Sequence, residues 1–168
     1  MTTWRIRSLA DDDVAAVTRI FNHYVETSLA AYPQRPLRVD EFRSLLPSGE
    51  TAPALVAANG EGDVVGFAFL RRYSPHDTFC ATALATYFVA PGHTRAGLGS
   101  LLLDRLEEQA KRARIRHLLA HVASENEASL AFHRSHGFHP CGTFHGIGIK
   151  HGRSFDIVWF EKSLPTDD

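Results

Sequence analysis

One segment in the middle of the chain constrains the fold more than any other. It begins as an apolar strand over Ala81–Val89, turns at Ala-Pro-Gly, and continues as a helix over Gly97–Ala113. Leucines recur along that helix at four-residue spacing, at Leu98, Leu102 and Leu106. This spacing is typical of a helix that buries one face. We therefore predict a sheet strand that leads, through a glycine-containing loop, into a helix packed on the sheet.

Hydrophobic periodicity divides the rest of the chain into further strands and helices. Helices are predicted from an acidic start at Asp11–Asp13 to about Thr27, over Asp40–Leu46, and over Asn126–Ser135. Strands are predicted over Trp4–Ser8, Ala54–Ala58, Val64–Tyr73, His117–Ala123, Thr143–Lys150 and Phe155–Lys162. Because strands and helices are mixed without regular βαβ alternation, we predict one α+β domain spanning residues 1–168.

Length, charge and cysteine usage exclude several classes of protein. The 168 residues suffice for a full core, and 18 Lys plus Arg against 19 Asp plus Glu give a net charge of -1. This balance argues against a nucleic-acid or anionic-membrane partner. The two cysteines form no CxxC pair, Met1–Arg7 lacks an apolar signal core, and no apolar run reaches the ~18 residues of a membrane span. We therefore expect a soluble cytoplasmic protein.

The loop before the strongest helix has features of an anion-binding site. Gly97 and Gly99 permit close approach of a ligand to the backbone, and helix N-terminal N–H groups favour phosphate. Arg95 adds a local positive charge. A Walker A loop would need a lysine after its second glycine, and a dinucleotide fingerprint would need a third glycine where Leu102 stands. A glycine-containing turn without any ligand is the alternative.

Several separated segments carry a resemblance to a known family. The stretch Val89-Ala90-Pro91, followed by Arg95-Ala96-Gly97-Leu98-Gly99, resembles the acetyl-CoA pyrophosphate loop of the GNAT acetyltransferases. Three further segments resemble the phosphinothricin acetyltransferase branch of that family: Ile20–Ser28, Asn126–Ser129 and Gly148–Gly152. The similarity covers nearly the whole chain, from Trp4 to Leu164.

The resemblance implies a fold and an activity. The fold is a central mixed, mostly antiparallel sheet that is splayed between its fourth and fifth strands, with acetyl-CoA in the cleft. The activity is direct transfer of the acetyl group to the primary amine of a small molecule, such as an amino acid or its analogue. Members of this family are often homodimers.

The resemblance also assigns residues that hold the cofactor. Backbone groups of Phe88 and Val89 would pair with pantetheine, and Asn126 and Ser129 would contact the same arm. The pyrophosphate would be held by the loop residues Thr94, Arg95, Ala96, Gly97, Leu98, Gly99 and Ser100. Thr94 stands where the family motif usually has glutamine or arginine, and Ala96 stands where many members have a second basic residue, although backbone amides supply most of the donors. Asn126 is equally suited to be a helix cap.

Acetyl transfer needs a group near the thioester that handles a proton. By resemblance, His133 occupies the position of a tyrosine in many members and of a histidine in this branch. It could protonate the leaving thiolate or help to hold the cofactor sulfur, since a neutral imidazole suits either role. A histidine on a short helix is also commonly a polar surface group or a satisfied core group.

The acceptor end departs from the family. The branch carries a glutamate base where this chain has Leu84, which cannot take a proton. Glu26, His76 or a water chain to backbone carbonyls could replace it, although a solvated helix face and an exposed loop are the ordinary interpretations of the two side chains. The predicted acceptor site is completed by Tyr32 and Tyr73, with Leu84 itself.

Two alternatives to catalysis follow from these departures. Leu84 and Thr94 are compatible with a catalytically silent module that binds acyl-CoA, and a protein-interaction domain that keeps the fold alone is a third possibility.

The 10 histidines raise the question of a metal, but the spacing of His133, His136 and His139 is interrupted by Gly137. No cysteine or carboxylate completes a tetrahedral set, so we predict no metal site.

Overall fold

The computed structural model describes residues 3–48 and 52–165. Its strands form one seven-stranded sheet in the order β1-β2-β3-β4-β5-β7-β6. The strands are β1 Arg5–Ser8, β2 Ala54–Ala58, β3 Val64–Arg72, β4 Thr82–Val89, β5 His117–Ala123, β6 His139–Lys150 and β7 Arg153–Ser163. The α-helices are α1 Val14–Thr27, α2 Val39–Arg43, α3 Leu98–Arg112 and α4 Glu127–Ser135. No helix in these described ranges is long and apolar enough to cross a membrane.

The sheet opens between its fourth and fifth strands. All other neighbouring strands are antiparallel, whereas β4 and β5 are parallel and pair only from Thr82↔His117 to Leu84↔Leu119. Beyond that point β4 continues to Val89 and β5 to Ala123 without pairing to each other. The splayed mixed sheet implied by the resemblance is thus confirmed, and a cleft lies where the ladder stops.

Each face of the sheet is covered by a separate part of the core. Helix α3 buries its leucine face on one side, against β-strand residues that include Ala83, Leu118 and Phe160. Helices α1 and α2 cover the other side, where Phe42 packs edge-on against Phe67. Because side chains alternate along a strand, neighbouring positions of β4 and β5 point to opposite faces of the sheet.

Most predicted elements are confirmed, with shifts at their ends. The β5 bounds agree, α1 ends at Thr27, and Asn126 accepts a hydrogen bond from the Ser129 N–H as the cap of α4. Helix α2 is shorter than predicted. Strand β6 begins at His139 rather than Thr143, because an edge strand accommodates a proline that an interior strand would exclude.

Candidate active site

A cavity of about 480 Å³ occupies the opening between β4 and β5. Its walls are the diverging ends of the two strands, the start of α4, and the loop that follows α1. The loop before α3 reaches its rim through Thr94, and Gly99 in the first turn of that helix also lines it. The cavity therefore connects the predicted pyrophosphate loop to the predicted acceptor side of the sheet.

The loop before α3 presents free backbone donors. Gly97 has a φ of +86° at the N-cap of α3, a conformation that glycine adopts without strain. Within residues 3–48 and 52–165, no protein acceptor is bonded to the backbone N–H groups of Thr94 to Ser100. The Ser100 hydroxyl lies 2.8 Å from His136 Nε2. Free amides at the start of a 15-residue helix form the kind of site that binds phosphate groups.

The start of α4 provides further donors on the cavity wall. Asn126 and Ser129 both line the cavity. The Asn126 Oδ1 is used by the helix cap, 3.2 Å from the Ser129 N, while its Nδ2 has no partner in the described part of the chain. The two interpretations of Asn126 are therefore compatible, since the cap uses the acceptor end of the amide and leaves the donor end.

The register of β4 decides which peptide groups face the opening. In the antiparallel β3–β4 ladder, the Tyr73 N–H bonds to the Thr82 carbonyl and the Ala90 N–H bonds to the Val65 carbonyl. Every second residue of β4 between Thr82 and Ala90 therefore directs its peptide groups toward β3. Phe88, which pairs with Phe67, is one of them. The peptide groups of Tyr87 and Val89 consequently point toward the cleft. Phe88 contributes its ring to the cavity wall instead of the backbone contact that the resemblance assigned to it. The Val89 carbonyl already accepts a bond of 2.5 Å from the Tyr24 hydroxyl.

His133 is buried and forms hydrogen bonds through both ring nitrogens. Its Nδ1 lies 2.7 Å from the Ser129 carbonyl oxygen, which can only accept, so Nδ1 carries the hydrogen. Its Nε2 therefore accepts a hydrogen bond from the Tyr87 hydroxyl. Burial lowers the pKa of His133 and raises the pKa of Tyr87, which keeps both groups neutral near pH 7. Both side chains line the cavity on the side of α3 and α4.

His121 lies on the opposite side of the sheet from this pair. The Tyr32 hydroxyl is 3.2 Å from both the carbonyl oxygen and Nδ1 of His121. Both contacts are satisfied when the hydroxyl donates to the carbonyl and Nδ1–H donates to the hydroxyl oxygen. Nε2 then holds a lone pair, and it has no partner among the residues described. Burial and the nearby Arg71 lower the pKa of His121, and burial raises the pKa of Tyr32 to about 12.

The structure separates the residues predicted for the acceptor site. Tyr32 lines the cavity, whereas Glu26 and His76 are exposed and Tyr73 packs against Phe79 on the surface. Leu84 is half-buried in β4, directly opposite Arg71 of β3. Its side chain is not among those that line the cavity. The catalytic roles of Glu26 and His76 stay predictions.

Three cavity residues with candidate roles are not marked by any sequence motif: Tyr87, His121 and Arg71. Tyr87 and Arg71 stand in strands with nothing in their sequence neighbourhood to mark them. His121 likewise carries no motif around it in the sequence. Alternation along β5 was the available signal, since it places His121 opposite in orientation to Leu118, Ala120 and Val122, which pack under α3. No group of three or more His, Cys, Asp or Glu that could hold a metal occurs in residues 3–48 and 52–165.

Comparison with known proteins identifies the family. The model described as the acetyltransferase (GNAT) family matches residues 17–138, which include α3, α4 and both strands of the splay. The chain belongs to the GNAT acetyltransferase family. This GNAT domain contains the parts that its sequence segments predict: the splayed sheet, the loop before α3 and the capped start of α4.

Its relatives include members of the phosphinothricin acetyltransferase branch. A phosphinothricin N-acetyltransferase from Streptomyces coelicolor is 30% identical over 95% of this chain and 96% of its own length. An L-methionine sulfoximine/L-methionine sulfone acetyltransferase from Salmonella typhimurium is 33% identical, covering 95% and 94%. A solved structure of a GNAT phosphinothricin acetyltransferase from Sinorhizobium meliloti, in complex with acetyl-CoA, is 25% identical with a TM-score of 0.89, covering 96% and 89%.

Proposed function

We propose that this enzyme transfers the acetyl group of acetyl-CoA directly to the primary amine of an amino acid or amino-acid analogue. The observation that carries the proposal is the single cavity that joins the free amides before α3 to His121 across the splayed sheet. The names of the relatives from Streptomyces coelicolor and Salmonella typhimurium support an acceptor of this class.

The residues present fit an elongated anionic cosubstrate. The amides of Thr94 to Ser100 and the Arg95 side chain would hold its pyrophosphate. The Tyr87 and Val89 peptide groups, with the Asn126 Nδ2 and the Ser129 hydroxyl, would hold the amide-containing arm that leads into the opening. Acetyl-CoA supplies the activated acetyl thioester there. Because the loop amides and Arg95 would hold its charge locally, the near-zero net charge of the chain is compatible with this cosubstrate.

His121 serves as the base that prepares the acceptor. Amines of this class are protonated near pH 7, so one proton must leave before the nitrogen attacks. The free Nε2 of His121 takes that proton, and Tyr32 holds the ring through Nδ1. His121 later releases the proton to solvent, so its protonation state is restored.

The Tyr87–His133 pair carries the second proton from nitrogen to sulfur. His133 has no proton of its own to give, because Nδ1–H is bonded to Ser129 and Nε2 is an acceptor. The Tyr87 oxygen takes the proton that the attacking nitrogen loses while its own proton moves to His133 Nε2. The reverse movement then protonates the departing thiolate. The lowered pKa of His133 favours this return.

Release of free thiol from acetyl-CoA in the presence of a panel of amines tests the proposal. We expect acceptor-dependent release with at least one amino acid or analogue. Stabilisation by CoA without any transfer would contradict catalysis and favour a silent acyl-CoA module. No stabilisation by CoA at all would contradict the cofactor site and leave a fold used for protein interaction.

We also propose that the enzyme is a homodimer in the cytoplasm. The edge strand β6 exposes Phe144, Ile147 and Ile149, which are 55%, 59% and 66% accessible. An apolar edge of this kind favours association with a second copy. Both cysteines, Cys80 and Cys141, are unpaired and exposed, which suits a reducing compartment.

A further inference from the structure

Arg71 is a half-buried cation in the cavity wall that the reaction described above does not use. Its side chain lines the cavity, and its Nε is shielded from solvent with no hydrogen-bond partner within residues 3–48 and 52–165. None of the ion pairs formed by these residues includes it. A guanidinium nitrogen that is shielded from water and has no acceptor costs free energy. An anion that accepts hydrogen bonds from the guanidinium would offset this cost.

The sheet places Arg71 on the acceptor side. Phe67, Phe69 and Arg71 follow one another at two-residue spacing along β3, so their side chains share one face of the sheet. The two phenylalanines pack toward α1, so Arg71 also lies on the face opposite α3. His121 lies on that same face, and the Arg71 charge contributes to lowering the pKa of its imidazole. The proposed base and the unpaired cation are therefore neighbours in one end of the cavity.

We infer that Arg71 binds the carboxylate of the acceptor and thereby selects α-amino acids over simple amines. This inference rests on the proposed acetyl transfer. An α-amino acid carries its amine and its carboxylate on one carbon, which matches a base and a guanidinium placed side by side. Guanidinium and carboxylate pair through two parallel charge-assisted hydrogen bonds. A peptide N-terminus offers an amide carbonyl at that position, so it lacks the charge that Arg71 requires.

The cross-strand neighbour of Arg71 strengthens the inference. Arg71 and Leu84 are directly opposed in the β3–β4 ladder, so their side chains lie on one face, with Cβ atoms ~5 Å apart. Leu84 stands where the resemblance implies a glutamate. A carboxylate there would form an ion pair with Arg71, whereas leucine leaves the guanidinium open to a ligand.

The experiment compares the best amino-acid acceptor of the panel with its carboxamide, its decarboxylated amine and a dipeptide that begins with it. Wild type is expected to favour the free amino acid by at least tenfold in kcat/KM, mainly through KM. Arg71→Met should remove that preference. Arg72→Met is the matched control, because Arg72 is the next residue, is exposed, and lies 3.6 Å from Asp77. It should keep the preference.

Binding measurements separate this inference from the proposed function. With CoA present, the N-acetyl amino acid should bind wild type at least tenfold more tightly than its N-acetyl carboxamide, and Arg71→Met should bind both equally. This difference requires no turnover, so it is tested even if no amine is acetylated. Equal binding of acid and amide to wild type, or retention of the preference by Arg71→Met, would overturn the role of Arg71.

Two further measurements distinguish ligand binding from a structural role. Removal of a cation whose Nε is shielded and unpaired should leave the melting temperature of Arg71→Met unchanged or raised, while loss of a structural arginine would lower it. Leu84→Glu is a second variant that keeps Arg71 and supplies an internal carboxylate. It should abolish the preference for the free amino acid, and an undiminished preference would count against the inference.

Discussion

At the scale of single residues, the hydrogen of His133 Nδ1 determines what this histidine can do. The Ser129 carbonyl oxygen accepts that hydrogen at 2.7 Å, which leaves Nε2 as a lone pair for the Tyr87 hydroxyl. A neutral imidazole held in this way orients the tyrosine, and in the proposed reaction it accepts the tyrosine proton transiently. Tyr87 is then the end of the pair that can meet the substrates, and His133 acts through it.

Substitution of either member of the pair should slow the reaction to a similar extent. Tyr87→Phe and His133→Asn are each expected to lower kcat by ~10²-fold, a magnitude typical of lost proton transfer, with CoA affinity changed by less than ~3-fold. The double variant should be no slower than either single one, because the two residues act as a unit. Steady-state kinetics and calorimetric titration of CoA provide the measurement.

Exposed His139 provides the control for these variants, since His139→Ala should keep wild-type turnover. Unchanged kcat in Tyr87→Phe would remove Tyr87 from the mechanism. Additive losses in the double variant would show that the two side chains act separately.

The proposed base predicts a defined pH dependence. The pKa of His121 lies below its ordinary value because of burial and the nearby Arg71 charge. Among the described residues, Tyr32 is the titratable group that contacts its ring, and His133 lies across the opening of the sheet. The neutral base therefore persists below pH 6.5, and kcat/KM should fall only as pH drops through the lowered pKa. Arg71→Met removes one cause, so the acidic limb should shift to higher pH.

Profiles of kcat/KM against pH for wild type and Arg71→Met check this shift. A carboxamide acceptor is used for both, because it removes any carboxylate effect and its amine titrates identically in the two profiles. Coincident acidic limbs would argue against His121 as the base, as would undiminished activity in His121→Leu.

The sequence could predict the cofactor residues better than the acceptor residues. The loop before α3 is one continuous segment, so its glycines and the start of the helix can be recognised from the sequence alone. Tyr87 and His133 are 46 positions apart and meet only because the sheet opens beside α4. Arg71 resembles its exposed neighbour Arg72 in sequence, and only the alternation of β3 separates their environments.

At the scale of elements, one lysine joins the end of α1 to the edge strand. The Lys150 Nζ is buried and donates to the carbonyls of Val25, Ser28 and Ala31 at 2.6, 2.9 and 2.8 Å. A cation at the C-terminus of a helix also complements the helix dipole. Tyr32 follows Ala31 directly, so Lys150 of β6 positions the loop whose tyrosine contacts His121.

Loss of this lysine should weaken both the fold and the acceptor site. Lys150→Met leaves three carbonyls without their donor and is expected to reduce the free energy of unfolding by ~2–4 kcal/mol. The KM for the acceptor should rise more than kcat falls, because the Tyr32 loop loses its anchor. Urea denaturation and steady-state kinetics measure the two effects.

Exposed Lys111 offers a matched substitution of the same residue type. Lys111→Met should shift the urea midpoint by less than a quarter of the change in Lys150→Met. Equal shifts would show that the three carbonyl contacts contribute little.

The elements were predictable where local signals agree with tertiary structure. The turn between the two predicted strands that became β6 and β7 uses His151 and Gly152 at φ of 50° and 76°, the backbone conformation of a tight hairpin turn. The start of β6 was missed because Pro140 and Gly142 are turn-forming residues by composition. Their place at an edge, paired on one side only with β7, is a property of the whole sheet.

At the scale of the whole molecule, the short β4–β5 ladder opens the cleft in which the proposed reaction takes place. Three paired positions hold the two halves of the sheet together, and the unpaired remainder leaves the Tyr87 peptide group and the Val89 N–H available. The opening also lets side chains of opposite faces, Tyr87 and His121, border one cavity. A fully paired sheet would separate the two side chains. The unpaired ends of β4 and β5 lack ladder hydrogen bonds to each other and leave an opening between the two faces of the sheet.

The exposed edge of this sheet predicts the state of association. The β6–β7 register shifts between Phe144 and Gly148, and the Asp156 carboxylate binds Gly146 N at 2.7 Å within this bulge, which leaves Ile147 protruding beside Ile149. In a homodimer these apolar side chains are covered by the second copy. Ile147→Glu would bury a charge there, so sedimentation velocity should show a dimer for wild type and a monomer for Ile147→Glu. Val39→Glu, at an exposed valine of α2, should remain dimeric. A monomeric wild type, or an Ile147→Glu variant that stays dimeric, would exclude this edge as the interface.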